Sequence, residues 1–317
     1  MTIQTHKIII DTDPGIDDAL AIQLAYADPR IDIVGMTTIF GNVYTHQATR
    51  NARHLAELAG HSTRVAEGVH KPYVQAPREP SHYVHGKEGY GDLDAPTPNL
   101  PQDSRTAAEF ICAMADEHGK SLTLCPIGPL ANIAHALDLD PDLPNKIGSV
   151  VIMGGAVTVP GNVTSHAEAN IYNDPHAAER VFSSGLDVRL VGLDITSNIH
   201  CVAADFDEIG AGSPEIGGFL HDISEFYLRF YREFAGSDHC CLHDPAALMA
   251  ITDPDLFTYE ESPVTVLLEG EEAGNTNAVD DASRPAIRFA TACNEAEIRN
   301  RFIERLRTAD AVKAART

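Results

Sequence analysis

The segment DTDPGIDDA, residues 11–19, carries four aspartates in nine positions, interrupted by Pro14 and Gly15. Carboxylates crowded in this way raise the free energy of ionising one another. A helix start favours a nearby negative charge by only about 0.3–1 kcal/mol at an exposed site, which is too little to offset four acids. Carboxylate oxygens are the ligands that Ca²⁺ and Mg²⁺ prefer. The segment therefore predicts a divalent cation site, although helix capping alone is an alternative for Asp17 and Asp18.

The elements predicted around this segment alternate between strands and helices. The β-branched run KIII ends at Asp11, and the helical segment DDALAIQLAYA follows the Pro-Gly pair. Further strands are predicted at IDIVGMTTI, LTLCPIG, IGSVVIMGG and DVRLVGLDIT, and further helices at THQATRNARHLAELAG, TAAEFICAMADEHG, PLANIAHAL and PHAAERVFSSG. Strands without polar alternation, separated by amphipathic helices, are typical of a parallel sheet covered on both faces. We expect an α/β fold with an open, mostly parallel sheet, in a single domain spanning residues 1–317.

Polar clusters follow the predicted strands at the ends where ligands bind in such sheets. They lie at residues 11–18, 41–42, 126–128 and 154–170. We therefore expect one site at the carboxyl ends of the strands. The stretch from 71 to 104 is rich in Pro, Gly and His and predicts a long surface loop, of the kind that often serves as a lid.

The composition excludes some partners and indicates a compartment. The 317 residues include 46 Asp and Glu against 23 Lys and Arg, a formal net charge of −23. Nucleic acids and anionic membranes bind basic patches, so neither is expected as a partner. The six cysteines form no C-x-x-C pair, and neither a signal peptide nor an apolar run long enough to cross a bilayer is recognisable. These features predict a cytoplasmic protein.

Seven motifs, taken together, resemble those of the nucleoside hydrolases, the inosine–uridine-preferring family. In chain order they are DTDPGIDDA, TTIFGN, HGKEG, PIGPLANIA, VIMGGA, GNVTSHAEANIYNDPHAA and HDPAAL. The resemblance covers nearly the whole chain and implies a Rossmann-like sheet. It implies Ca²⁺-dependent hydrolysis of the N-glycosidic bond of ribonucleosides, releasing base and ribose in nucleoside salvage or catabolism. It also implies a homo-oligomer, either a tetramer or a dimer.

The resemblance assigns a set of calcium ligands. Asp13 would bind the ion and act as general base, and Asp18 and Asp244 would be further carboxylate ligands. Ile127 would contribute its main-chain carbonyl, and Asp11 would support the cluster from behind. The chemistry is consistent, because a bound cation acidifies a water whose proton a neighbouring carboxylate can take. Nearby negative charge also stabilises an oxocarbenium-like sugar.

A second set of residues would contact the ribose. By resemblance these are Asp17, Asn42, Met153, Asn162, Glu168 and Asn170. Asp17 would reach a ribose hydroxyl, and Asn162 and Glu168 would face the 5′-hydroxyl. The alternative is that the polar side chains only form turns in their loop and that Met153 is a core residue.

The leaving base needs a proton donor, and histidines are the candidates. His243 resembles the acid that protonates the base, and His85 resembles a second histidine near it. His82 lies close to His85 in the sequence and could take that role instead. Each could equally be a structural histidine.

The surroundings of the base are less defined. The chain has no tryptophan, so indole rings cannot cover the base. Tyr227 or Tyr231 could do so, or could pack in a helix core. Cys240 and Cys241 are interpreted as packing residues, because His243 is present beside them.

Two other functions remain open at this stage. Asp11-Thr12-Asp13 could be the D-x-D of a Mg²⁺-dependent phosphatase with an aspartate nucleophile, although no phosphate cradle is recognisable in GNVTSHAEAN. The chain could also be a calcium-dependent nucleoside-binding protein without catalysis. The acids and histidine expected of the enzyme argue against that loss.

Overall fold

The computed structural model describes residues 5–316. Within that range the strands are β1 (His6–Thr12), β2 (Ile31–Thr38), β3 (Val65–Glu67), β4 (Leu122–Pro126), β5 (Ser149–Met153), β6 (Val188–Val191), β7 (His200–Val202), β8 (His239–Cys241), β9 (Phe257–Ser262), β10 (Val264–Val266), β11 (Thr276–Ala278) and β12 (Ile287–Cys293). The helices are α1 (Ile16–Ala27), α2 (Thr45–Leu58), α3 (His82–His85), α4 (Ala107–His118), α5 (Ala131–Leu139), α6 (Leu143–Lys146), α7 (Ala169–Asn173), α8 (Pro175–Phe182), α9 (Leu193–Thr196), α10 (Ala203–Gly212), α11 (Ile216–Phe230), α12 (His243–Thr252), α13 (Glu295–Leu306) and α14 (Ala309–Ala314). A π-helical turn, Tyr231–Ala235, extends α11.

Eight strands form the central sheet, in the order β3-β2-β1-β4-β5-β6-β12-β9. Neighbouring strands run parallel except β12 and β9 at one edge, which are antiparallel. The strand order reverses between β1 and β4, and such a switch point opens a crevice at the carboxyl ends of the strands. The acidic segment begins at the end of β1 and therefore lies at this crevice.

Both faces of the sheet are covered, as the apolar run of β1 predicts. Ile8 and Ile10 belong to one cluster of buried side chains and Ile9 to another. Successive side chains of a strand point to opposite faces. All three are no more than 1% exposed, so the two clusters lie on opposite faces of the sheet. The α/β fold with a mostly parallel sheet is confirmed.

The prediction of a strand at DVRLVGLDIT is wrong for the second half of that segment. β6 ends at Val191, and Leu193–Thr196 form the short helix α9. The N–H of Leu193 donates to the carbonyl of Gly155, and that of Thr196 donates to Gly192. The chain therefore leaves the sheet at Gly192, which a continuous apolar run does not indicate.

The stretch from 71 to 104 is mostly irregular, with only α3 inside it, as a long loop predicts. Its role as a lid stays a prediction. In the part of the chain that the structure describes, no helix is both long and apolar enough to cross a membrane.

Candidate active site

The four aspartates of the signature are buried at the junction of β1 and α1. Asp11 is the penultimate residue of β1, Asp13 lies in the connection, and Asp17 and Asp18 are in the first turn of α1. Their exposed fractions are 1%, 1%, 4% and 0%. The Pro-Gly pair thus turns the chain between the two pairs of acids, as the sequence predicts.

Asp18 is held by four hydrogen bonds. Its Oδ1 accepts from the Thr12 hydroxyl at 2.6 Å and from the N–H of Asp13 at 3.2 Å. Its Oδ2 accepts from the N–H of Gly15 at 3.1 Å and from Nδ2 of Asn42 at 2.9 Å. The bond to Gly15 is a helix cap, so the capping alternative describes part of what Asp18 does. The same bonds bring Asn42 to the cluster.

Asp13 has one oxygen bound and one free. Oδ2 accepts from the N–H of Asn42 at 2.6 Å, whereas Oδ1 is buried without a hydrogen-bond partner. A Cβ at Gly128 would lie only 2.6 Å from that Oδ1, so the loop after β4 approaches as closely as a glycine allows. Oδ1 is therefore an oxygen acceptor inside a narrow cradle.

Asp17 and Asp244 complete the acidic cluster from two ends of the chain. Oδ2 of Asp17 accepts from the N–H groups of His243 and Asp244, at 3.0 and 2.9 Å, while its Oδ1 is buried without a partner. Asp244 is 4% exposed, and its carboxylate makes no hydrogen bond within the described range. Several carboxylate oxygens thus remain free to bind a ligand.

The cluster holds more negative charge than the protein balances. Burial raises the pKa of Asp13 and Asp244 well above the usual range, and the charges of Asp18 and Asp17, respectively, add to it. Burial likewise raises the pKa of Asp11 to about 7 and that of Asp17 to about 8. None of these acids forms an ion pair with a basic side chain among residues 5–316. A cation would stabilise their ionised forms.

The donor set suits a hard cation if main-chain oxygens take part. No group of three or more His, Cys, Asp and Glu side chains in the described chain is arranged to hold a metal ion by itself. Ile127 lies beside the cluster, since its N–H donates to the carbonyl of Asp11 at 2.8 Å. Carboxylates with a carbonyl, water and ligand oxygens are a typical calcium environment. The free Oδ1 of Asp13 and the carboxylate of Asp244, which accepts no hydrogen bond within the described range, fit such an ion.

The loop after β5 lies against the acidic cluster. Glu168 is 2% exposed, and its carboxylate accepts from the N–H groups of Gly155, Asn170 and Ile171 at 2.9–3.1 Å. Burial raises its pKa, and these hydrogen bonds oppose the rise. Its charge also contributes to the raised pKa of Asp244. Glu168 therefore lies near the acidic cluster, and its contact with the 5′-hydroxyl stays a prediction.

Asn170 reaches the site, whereas Asn162 lies at the surface. Nδ2 of Asn170 donates to the carbonyls of Ile127 at 3.0 Å and Met153 at 3.2 Å. Asn162 is exposed, and its Oδ1 accepts from the N–H of Ala169 at 3.1 Å. The turn-forming alternative therefore describes Asn162 in this structure, and contact with a sugar would require the loop to move.

His243 lies between two hydroxyl groups. Nδ1 is 2.8 Å from Oγ1 of Thr196, and Nε2 is 3.1 Å from the hydroxyl of Tyr231. Burial lowers the pKa of His243 to about 4, so the ring is neutral near pH 7. Thr196 lies in the segment misread as a strand, and the sequence offered no signal for its role.

His85 faces the same site from another element. Its Nδ1 accepts from the N–H of Ile16 at 3.1 Å, and its ring stacks on Tyr227 with centroids 5.7 Å apart. Burial lowers its pKa to about 3, with the charge of His243 as a second cause. The ring of His82 instead lies 6.3 Å from that of Tyr44, and no contact joins it to the acids.

The tyrosines are both at the site and in the core. Tyr227 is 3% exposed in α11, and its ring meets that of Tyr231 edge-on at 5.1 Å.

Cys240 and Cys241 are buried in β8 with free thiols, as expected of packing residues. Asn132, inside the motif PIGPLANIA, was missed although it donates to Oδ1 of Asp11 at 2.7 Å.

The fold and the site define the class. The site lies at the switch point of a parallel sheet and contains carboxylates without ion-pair partners, two neutral histidines and two tyrosines. This combination is typical of an α/β hydrolytic enzyme.

Comparison with known proteins gives the family. Residues 8–300 match the family model of the inosine-uridine preferring nucleoside hydrolases. The chain is 41% identical over 272 residues to uridine nucleosidase 1 of Arabidopsis thaliana, covering 86% of this chain and 81% of that protein. It is 37% identical over 278 residues to the inosine-uridine preferring nucleoside hydrolase of Leishmania major, covering 87% and 88%. A solved plant nucleoside hydrolase, the PpNRh1 enzyme, matches with a TM-score of 0.92 at 35% identity, over 95% of this chain and 98% of that one.

The chain therefore belongs to the inosine-uridine preferring nucleoside hydrolase family. It is a nucleoside hydrolase, an enzyme that acts on ribonucleosides. The family predicted from the motifs is confirmed, and the phosphatase alternative has no support.

Proposed function

We propose that this enzyme hydrolyses the N-glycosidic bond of ribonucleosides in a Ca²⁺-dependent reaction that releases base and ribose. The observation that carries the proposal is the acidic cluster. Oδ1 of Asp13 and Oδ1 of Asp17 are buried without partners, and no basic side chain of the described chain pairs with the cluster. Leaving such oxygens unpaired costs free energy unless a ligand satisfies them.

The calcium ligands would be Asp13, Asp18, Asp244 and the carbonyl of Ile127. When bound, the ion supplies positive charge that acidifies a water and orients the ribose hydroxyls. Asp18 is already fixed in place, so it would bind with little loss of side-chain entropy. Because each of its oxygens accepts two hydrogen bonds, the ion would replace at least one of those donors.

Asp13 acts as general base. Its Oδ2 is anchored by the N–H of Asn42, which leaves Oδ1 to take a proton from the attacking water. Oδ1 of Asp17 accepts a ribose hydroxyl, because its Oδ2 is occupied by the start of α12. Asn42, Met153, Glu168 and Asn170 contact the remaining sugar atoms, and the negative charge of the cluster stabilises the oxocarbenium-like transition state.

His243 donates the proton to the leaving base, with the hydroxyl of Tyr231 as the intervening group. The ring is neutral in the free enzyme near pH 7, so it first takes up a proton from solvent. Both nitrogens then carry a proton and meet hydroxyls, and giving one proton to the base returns the ring to neutral imidazole. His85 cannot take up a second proton in this way, because its Nδ1 already accepts from the N–H of Ile16. His85 therefore contacts the base without titrating.

Uridine and inosine are the first substrates to test, since relatives are named as a uridine nucleosidase and as inosine-uridine preferring nucleoside hydrolases. Base release would be measured from a panel of ribonucleosides with calcium, after chelation and after calcium is restored. Hydrolysis that chelation abolishes and calcium restores supports the proposal. Full activity in chelator would overturn the role of the metal. Tight binding without turnover would overturn the role in catalysis.

We also propose that the enzyme works in the cytoplasm as a tetramer or dimer, in nucleoside salvage or catabolism. The six free cysteines are typical of a reducing compartment. Sedimentation equilibrium would measure the oligomeric state, and a monomer at micromolar concentration would contradict that part.

A further inference from the structure

Asn51 joins two motifs that are distant in the sequence. This residue of α2 is 0% exposed, and its Nδ2 donates to the carbonyl of Pro14 at 3.0 Å and to that of Glu88 at 2.8 Å. Its own carbonyl accepts from the hydroxyl of Tyr90 at 3.1 Å. Pro14 belongs to the signature turn, and Glu88 belongs to the motif HGKEG. One amide group therefore holds the two segments against each other.

The contact is tight enough to need a glycine. Gly89 follows Glu88 with a φ of +84°, a conformation that favours glycine. A Cβ there would lie 2.5 Å from the carbonyl of Pro14 and 2.8 Å from Nδ2 of Asn51. The segment 85–89 is thus packed directly on the signature turn, with no space for adjustment.

This packing sets which ring nitrogen of His85 carries the proton. Ile16 is the first residue of α1, so its N–H has no partner within the helix, and it donates to Nδ1 of His85 instead. A nitrogen that accepts a hydrogen bond carries no proton, so the neutral ring carries its proton on Nε2. Nε2 makes no hydrogen bond within the described residues, and the residue retains 7% of its exposure. Nε2 is therefore the ring atom open to a ligand.

We propose that Asn51 is a positioning residue that, together with the N–H of Ile16, fixes His85 as an Nε2–H donor towards the nucleobase. The inference rests on the proposed function for the identity of the ligand. It goes beyond that function in giving His85 a single hydrogen-bonding role. A base that presents a carbonyl oxygen or an unprotonated ring nitrogen to Nε2 is then bound, and one that presents an N–H there is rejected.

The test uses Asn51→Ala and the same-sized Asn51→Asp, whose carboxylate would face two carbonyls. Gln23→Ala is the matched control, because it removes a buried amide that donates from α1 to the carbonyl of Leu55 without touching segment 85–89. The substrates are uridine and 4-nitrophenyl β-D-ribofuranoside, whose leaving group departs without protonation and lacks the ring acceptors of a nucleobase. We expect the Asn51 variants to lower kcat/KM for uridine about tenfold or more, mainly through KM, and to change the nitrophenyl riboside less than twofold. Gln23→Ala should affect both substrates alike.

Equal losses on both substrates in the Asn51 variants would assign a purely structural role and overturn the inference. Unchanged uridine kinetics would overturn it too. In a His85→Ala background, Asn51→Ala should have no further effect on uridine. Nitrogen-15 NMR of the wild-type enzyme should show His85 unprotonated at Nδ1 and protonated at Nε2, and the opposite tautomer would refute the inference even if no variant folds. A wild-type enzyme that hydrolyses neither substrate would instead refute the proposed function, while the NMR result would still decide the tautomer.

Discussion

The N–H of Asp244 donates to the carboxylate of Asp17 at 2.9 Å, across 227 positions of the chain. Asp17 thereby satisfies a donor at the start of α12 that the helix itself leaves free. The carboxylate also experiences the favourable dipole of that helix. The first motif, DTDPGIDDA, and the last, HDPAAL, are therefore joined by direct hydrogen bonds. A substitution in either motif should disturb the position of the other.

Stability of the calcium-free enzyme should fall as pH rises from about 6.5 to about 8. Burial raises the pKa of Asp11 to about 7 and of Asp17 to about 8, from an ordinary value of 3.8. A folded-state pKa above the unfolded value gives stability at low pH that is lost as pH rises through the folded pKa. His85 and His243 have lowered pKa values, which affect stability only below their ordinary value of 6.5.

Thermal unfolding in chelator across this pH range measures the effect. Calcium should reduce the fall, because the ion favours the ionised acids. Asp17→Asn should reduce it as well. A midpoint that rises between pH 6.5 and 8 would contradict the shifts assigned to these two acids.

His243→Ala should lower kcat for uridine by about 10²–10³, because the base then leaves without its proton donor. The nitrophenyl riboside should lose far less, since its leaving group needs no proton. His82→Ala is the control and should change kcat less than about twofold, because its ring does not contact the cluster. A similar loss in both histidine variants would show that the acid has been assigned to the wrong residue.

Asp17→Asn should lower kcat/KM for uridine by about 10²-fold. The amide oxygen would keep the hydrogen bonds to α12, so an NH₂ group would replace the free acceptor Oδ1. If that oxygen accepts a ribose hydroxyl, one of 2′-deoxyuridine and 3′-deoxyuridine should show a much smaller loss. Steady-state kinetics on the three nucleosides decide the point. Equal losses on all three would indicate that Asp17 acts only by capping α12.

Asp253→Ala should lower the free energy of unfolding by about 2 kcal/mol and leave KM unchanged. The side chain of Asp253 is 1% exposed and pairs with Arg30 at 3.1 Å and Arg305 at 2.7 Å, both partly exposed. Asp238→Ala is the control, because Asp238 is 95% exposed and 3.6 Å from Arg232. Urea unfolding compares them, and equal stabilities would contradict a structural role for Asp253.

The sequence by itself determined the parts that depend on local pattern. The run Ile8-Ile9-Ile10 predicts a strand buried on both faces, and Pro14-Gly15 predicts the turn into α1. Ordered motifs at strand ends place the acids at one edge of a parallel sheet. These features follow from backbone periodicity and turn chemistry, which act over a few residues.

Only the tertiary structure decided which groups meet. Nothing local indicates that Asp17 caps α12, that Thr196 bonds to His243, or that Asn51 clamps segment 85–89. The prediction of a strand up to residue 196 was wrong for the same reason. The chain leaves the sheet where the N–H of Leu193 donates to the carbonyl of Gly155. Such contacts join residues tens to hundreds of positions apart, and they form only when the packed sheet and helices bring those residues together.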